Sequence, residues 1–154
     1  MACYKKGKVK HMSKFSKFMK ANKVVRENTK YAATSSLVDP ETGKPLEWEL
    51  KPLTTQEVQR IQDECTVEVP TGKPNVFRTK MLTTKFVKKL ICASVVVPNL
   101  YDAELQDSYD VKTPEELLEQ LVDDPGEYNA FSMFVQKFNH LDKGLQDKVD
   151  EAKN

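Results

Sequence analysis

Three four-residue segments of this chain carry the pattern that begins an α-helix. In residues 54–57, Thr-Thr-Gln-Glu, the first hydroxyl and the last carboxylate can accept free amide hydrogens of the opening helical turn. Residues 113–116 and 124–127 repeat this pattern with a proline at the first helical position, where a missing N–H is no loss. We therefore expect several separate helices after residue 54.

The spacing of apolar residues assigns the remaining elements. Helical spacing predicts helices over about 54–66 and 83–95, a helical turn at 102–107, and two more helices opened by the segments above. Residues 46–50 alternate between apolar and acidic, and they follow a β-branched stretch and turn residues, which predicts a β-hairpin with one wet face. The predicted fold class is α+β, an N-terminal β-hairpin followed by a cluster of four or five helices in a single domain.

The same periods predict the core. The residues expected to be buried are Trp48, Phe86, Leu90, Ile91, Leu117, Leu121, Phe131 and Phe138. The helix that begins near residue 125 is expected to end at Gly144, and a last amphipathic stretch holds Leu145, Val149 and Ala152. Cys92 lies in an apolar run, and we interpret it as a small buried residue.

The amino-terminal part of the chain divides into two segments. Residues 1–12 have no periodic apolar pattern and are predicted to be a disordered leader, so the domain spans residues 13–154. From Ser13 to Lys23, three residues recur at helical spacing among lysines, which predicts a short amphipathic helix that is not stable alone. These residues, Phe15, Phe18 and Met19, are our candidate partner-binding residues. The segment docks either on the chain's own acidic half or on a partner, and the sequence leaves both open.

The near-neutral net charge of +1 hides a strong gradient. Residues 1–30 hold ten Lys or Arg against one Glu, whereas residues 99–154 hold five basic and fourteen acidic residues. A basic head with aromatic residues is one feature of nucleic-acid-binding proteins, but no recognised binding fold accompanies it. Nucleic-acid binding is therefore an alternative of lower rank.

The residues that catalysis needs are scarce. The chain has two histidines and three cysteines, without a CxxC pair, a nucleophile motif or a glycine-rich phosphate loop, so we predict no enzyme, no catalytic or cofactor-binding residues, no cofactor and no metal site. The most apolar run, residues 90–97, is far shorter than the roughly 20 residues of a membrane span. No signal peptide is evident, and we expect a cytoplasmic protein without a membrane partner.

Five further segments follow one another from residue 21 without large gaps: ANKVVRENTKY, LEWELKPLTTQE, ECTVEVPTGKPNVFR, VVVPNLYDAELQDSYDV and PGEYNAF. Together they closely resemble the XkdN-like family of phage tail assembly chaperones. The resemblance covers about residues 12–154, and its most distinctive piece is NLYDAELQDSY at residues 99–109. A match of this length is far more specific than one short motif.

The resemblance implies a protein encoded among phage or prophage tail genes. Such a protein is expected in the cytoplasm of the bacterial host, where it binds the tape measure protein, assists tail tube assembly and leaves before the virion matures. A tape measure protein is long and rich in apolar faces, so a small charged partner that covers those faces would keep it soluble. The tail tube protein as a second partner and homo-oligomerisation are both left open.

The resemblance transfers no catalytic residue. Its residues 99–101, Asn-Leu-Tyr, are interpreted as a turn and an anchor, and Glu104 and Asp107 as exposed helix charges. Asp110 stands where the family pattern has glycine, and Asp tolerates a left-handed backbone better than most residues. The main alternative function is a structural tail-completion or adaptor protein that stays in the virion.

Overall fold

Short strands and helices alternate along residues 13–142, the part of the chain that the structure, a computed structural model, describes. The strands are β1 (Thr29–Tyr31), β2 (Trp48–Leu50), β3 (Thr66–Pro70), β4 (Phe77–Met81) and β5 (Val95–Val97). The helices are α1 (Thr55–Glu64), α2 (Thr83–Ser94), α3 (Ala103–Ser108), α4 (Pro114–Leu121) and α5 (Pro125–Phe138). This single α+β domain is the predicted class. The predicted leader, Gly144 and the last amphipathic stretch lie outside the described residues.

The helix starts use the capping chemistry that the sequence predicts. Thr54 and Glu57 form a reciprocal capping box at α1. At α4 and α5, the side chains of Thr113 and Asp124 each accept the backbone N–H three residues ahead, and a proline follows each cap. Each cap satisfies an amide that the helix itself leaves free, so the helix boundaries are fixed locally.

The main sheet has three antiparallel strands in the order β1-β2-β5. Tyr31 on β1 lies opposite Trp48 on β2, so both side chains stand on the same face of the sheet. Leu50 also points to this face, and both Trp48 and Leu50 are buried. The alternation of residues 46–50 predicts that Leu46 shares this face, but Leu46 is exposed. It lies before the strand, which begins at Trp48, and its N–H donates to the carbonyl of Leu37.

A second two-stranded sheet, β3–β4, was not predicted. Residues 67–77 contain two prolines and a glycine, a pattern that predicts a break after the first helix. In the structure residues 66–81 form an antiparallel ribbon whose turn contains Gly72 and Asn75, both with positive φ. The predicted end of α2 near residue 95 is confirmed, since the helix stops at Ser94. Strand β5, formed by the β-branched run that begins at Val95, was not predicted.

One core lies between the main sheet and helices α2, α4 and α5. Seven of the predicted core side chains are buried there, from Trp48 on β2 to Phe131 on α5, whereas Phe138 is only half-buried at the rim. Helix α5 also ends earlier than predicted, at Phe138. Its C-cap Asn139 is followed by His140 with a left-handed φ of 59°, so the helix cannot continue toward Gly144.

Replacing the central aromatic residue of the sheet tests this core. Trp48 is 2% exposed and packs edge-to-face on Phe131 with ring centroids 5.3 Å apart. We expect Trp48→Ala to lower the free energy of unfolding by about 3 kcal/mol or more, because it leaves a large cavity. Chemical denaturation measures the loss, with exposed Val24→Ala as the control. A loss below about 0.5 kcal/mol for Trp48→Ala would contradict the structure.

Candidate functional site

The groups that usually perform catalysis are buried or isolated in the described residues. Burial raises the pKa of the Cys65 thiol and raises the pKa of Cys92 to about 12, so both stay protonated at neutral pH. His140 lies exposed after the last helix. Residues 13–142 contain no group of three or more His, Cys, Asp or Glu that could hold a metal ion. The prediction that Cys92 is a small buried residue is confirmed.

Residues 13–25, which we call the arm, carry several large apolar side chains that are exposed. Phe15, Phe18 and Met19, the predicted partner-binding residues, are 65%, 84% and 52% exposed. The Phe15 and Phe18 rings contact each other edge-to-face, with ring centroids 6.3 Å apart. No described residue covers these side chains, so they form an exposed apolar area on the arm.

The predicted amphipathic α-helix of the arm was wrong. Residues Ser16–Phe18 and Lys20–Asn22 form two 3-10 turns, separated at Met19 by extended backbone. A segment this short makes too few hydrogen bonds to repay the cost of helix nucleation, and no packed face supports it. In a helix, Phe15, Phe18 and Met19 would share one face. The described residues offer no opposing surface on which that face could pack.

Sequence reasoning missed two further apolar residues of the arm. Val24 and Val25 are 87% and 83% exposed and directly follow Lys23. The available signal for their exposure was that two apolar residues stand between Lys23 and Arg26 and fit no helical or strand period. With these valines the exposed apolar residues occur along the whole arm, interleaved with four lysines.

The arm is attached to the domain through residues 26–36, which we call the strap. The strap runs along α5 from its carboxyl end to its amino end. The guanidinium of Arg26 lies 5.4 Å from the centre of the Phe138 ring and donates to the Phe138 carbonyl, one of the unpaired carbonyls of the helix end. Midway, the Tyr31 ring stacks on Phe134 at 4.2 Å and on Phe131 at 5.6 Å. The root of the arm is thus held at the carboxyl end of α5.

The opposite end of the strap is held by one carboxylate. Glu127, in the first turn of α5, accepts the hydroxyl of buried Thr34 at 2.8 Å and the backbone N–H of Ser35 at 2.7 Å. These hydrogen bonds, with that from the Ser35 backbone the strongest, lower the pKa of Glu127 from its ordinary value of 4.5. A second buried polar contact joins α5 to the chain after β2, where Asn139 accepts the Leu53 N–H at 2.8 Å.

The NLYDAELQDSY segment, residues 99–109, builds a turn and a short helix. The Asn99 side chain accepts the Tyr101 N–H, Leu100 is 1% exposed, and the Gln106 amide donates to the Leu100 carbonyl. The interpretation as turn and anchor is confirmed for Asn99 and Leu100, but Tyr101 is 67% exposed and anchors nothing. Asp110 has a φ of 55°, as its tolerance of left-handed backbone predicted.

The fold and the exposed residues together define a small α+β domain with a basic arm that carries exposed apolar side chains. Among the described residues, no helix is long and apolar enough to cross a membrane.

The chain belongs to the phage XkdN-like tail assembly chaperone family, whose sequence profile matches residues 15–153. It is similar to the phage-like element PBSX protein XkdN of Bacillus subtilis strain 168, at 24% identity over 137 residues, which cover 89% of this chain and 91% of that protein. Its fold is similar to the crystal structure of the protein yqbn, with a TM-score of 0.68, 19% identity, and coverage of 84% of this chain and 98% of that one.

The hydrogen bonds of Glu127 make a pH-dependent contribution to stability. Its pKa is lowered in the folded state, so the contribution is present above 4.5 and is lost as the pH falls through the lower folded value. We expect Glu127→Gln to be less stable than the wild type at neutral pH, with a difference that shrinks as the pH drops below 4.5. Chemical denaturation across this range measures it, with Glu47→Gln as an exposed control. A difference that is the same at every pH would show that the Glu127 charge does not hold the strap.

Proposed function

We propose that this protein is a tail assembly chaperone that binds the tape measure protein through its arm and keeps it soluble while the tail tube assembles. Membership in the chaperone family supports the general role. The observation that carries the finer proposal is the exposure of Phe15, Phe18 and Met19 on a segment that is attached to the domain only at Arg26 and beyond.

The chemistry of the arm suits a client with apolar helical faces. Covering an exposed phenylalanine contributes on the order of 2 kcal/mol, so a few such side chains suffice for a useful affinity. Methionine and aromatic side chains adapt to surfaces of different shape, which suits a client that presents many similar faces. The four lysines of the arm accelerate encounter with acidic regions of the client.

The same arrangement makes the interaction reversible. The arm has no stable helix of its own, so binding must order it, and this cost reduces the affinity below what the buried area alone would give. A moderate affinity allows the growing tail tube to displace the chaperone. We therefore propose that the protein acts in the cytoplasm of the bacterial host and is absent from the mature virion.

A structural tail-completion or adaptor protein would also belong among tail components. The two roles differ in whether the chain remains in the particle. Mass spectrometry of purified virions separates them, and we expect no stoichiometric amount of this chain. One or more copies per virion would contradict the chaperone proposal.

Removing the arm tests the proposed client contact. We expect a chain lacking residues 1–23 to keep its thermal midpoint within about 5 °C, because the arm side chains are exposed and the strap remains. The same truncation is expected to leave co-expressed tape measure protein insoluble. The measurements are thermal denaturation and the soluble fraction of the client after centrifugation.

A substitution distinguishes the apolar contact from the charge of the arm. Phe15→Ser/Phe18→Ser/Met19→Ser keeps every lysine and should fail like the truncation, whereas Lys14→Gln/Lys17→Gln keeps the apolar stripe and should retain most of the activity. A drop of about 10 °C or more in the midpoint of the truncated chain would place the arm in the core. Full client solubility with the triple variant would remove these residues as the binding site.

A further inference from the structure

The β3–β4 ribbon stands out because its side chains are almost wholly uncovered. Apart from half-buried Thr66, Val69 and Met81, every strand residue is exposed, including Phe77 at 58%. A two-stranded ribbon alone is marginally stable in water, because neither face is protected. A working state in which another surface packs on the ribbon would remove this weakness.

One face of the ribbon is basic and continues onto helix α2. Val67 lies opposite Lys80 and Val69 opposite Arg78, so these four side chains share a face. Lys80 also lines an open depression of about 730 Å³ beside α2, together with Lys85. Lys80, Lys85 and Arg78 form no ion pair within residues 13–142, and we call these three residues the basic surface.

The neighbouring lysines of α2 are already neutralised. Lys88 forms an ion pair with Glu119, and Lys89 lies 3.2 Å from Glu64 and 3.9 Å from Glu115. Of the lysines that line the depression, Lys80 and Lys85 are therefore the two without an ion pair among the described residues.

The complementary charge lies on the same molecule, around helix α3. Asp102, Glu104, Asp107 and Asp110 are all exposed, and none forms an ion pair with a described residue; we call them the acidic patch. Exposed Tyr101 lies immediately beside this patch in sequence. Each cluster of like charge repels itself, and contact between opposite clusters relieves both repulsions.

We propose that the basic surface of one copy docks on the acidic patch of a second copy of this chain. Opposite charges select the orientation, while Val67 on the basic face of the ribbon and Tyr101 of the other copy supply apolar area. The two surfaces differ, and a contact between one basic surface and one acidic patch leaves each of the two copies with one surface free. Association can therefore continue from copy to copy.

Nucleic acid is the other kind of partner that a basic surface attracts. The observations favour protein, because Glu115 lines the same depression and would repel phosphate. The basic face of the ribbon presents valines in place of the aromatic rings on which bases stack.

Two charge-reversal variants of the full chain test the proposal by sedimentation velocity. Lys80→Glu/Lys85→Glu removes the basic surface, and Glu104→Lys/Asp107→Lys removes the acidic patch. Wild type should associate as its concentration rises at about 50 mM salt and dissociate at about 500 mM. Each variant alone should associate at least about tenfold more weakly. Lys30→Glu/Lys44→Glu changes the net charge equally at exposed sites elsewhere and should associate like wild type.

Mixing the two variants gives the decisive result. Each variant keeps the surface that the other has lost, and the two reversed surfaces also carry opposite charges, so the mixture should associate more tightly than either variant alone. Wild type that stays monomeric at every concentration and salt overturns the proposal, as does equal weakening by the control variant. Loss of DNA binding or of tape measure binding in Lys80→Glu/Lys85→Glu, with self-association unchanged, also overturns it and assigns the surface to that ligand. Circular dichroism confirms that each variant is folded before these comparisons.

Discussion

The packing of residues 26–36 along helix α5 is the interaction on which the rest of this fold depends. The strap contacts the helix at both ends and in the middle, through Arg26 on Phe138, Tyr31 on Phe134 and Thr34 on Glu127. These contacts join residues about a hundred positions apart in sequence. They place β1 where it can pair with β2, which in turn buries Trp48 against the same helix. The last described helix thus completes the environment of the first strand, so folding requires nearly the whole domain.

The helices were predictable because their signals are local. The reciprocal bonds of Thr54 and Glu57 involve residues three positions apart, and the same holds for the caps at Thr113 and Asp124. The strands β3 and β4 were not predictable in this way, because each is short and their register comes from pairing between residues 66–70 and 77–81.

The conformation of the candidate site was not predictable from the sequence, and its role in binding stays a prediction. Helical spacing singled out Phe15, Phe18 and Met19, which proved to be exposed, yet the spacing could not show whether an opposing surface exists to stabilise a helix. The contacts between the strap and α5 could not be predicted from the sequence for a related reason. No local pattern links Tyr31 to Phe134 or Thr34 to Glu127, since these pairs are created by the tertiary fold. The exposure of Tyr101 likewise depends on which side of its turn faces the core, and a motif alone does not specify this.

The contact between Arg26 and Phe138 places the beginning of the strap beside the carboxyl end of α5. Residue 25, where the arm ends, and residue 139, where α5 gives way to its cap, leave the domain beside each other. Neighbouring termini of this kind are the usual reason why domains tolerate circular permutation and insertion into other proteins. The chain therefore leaves the described domain at residue 142 near the root of the arm. A group fused directly at residue 142 would therefore begin beside the arm.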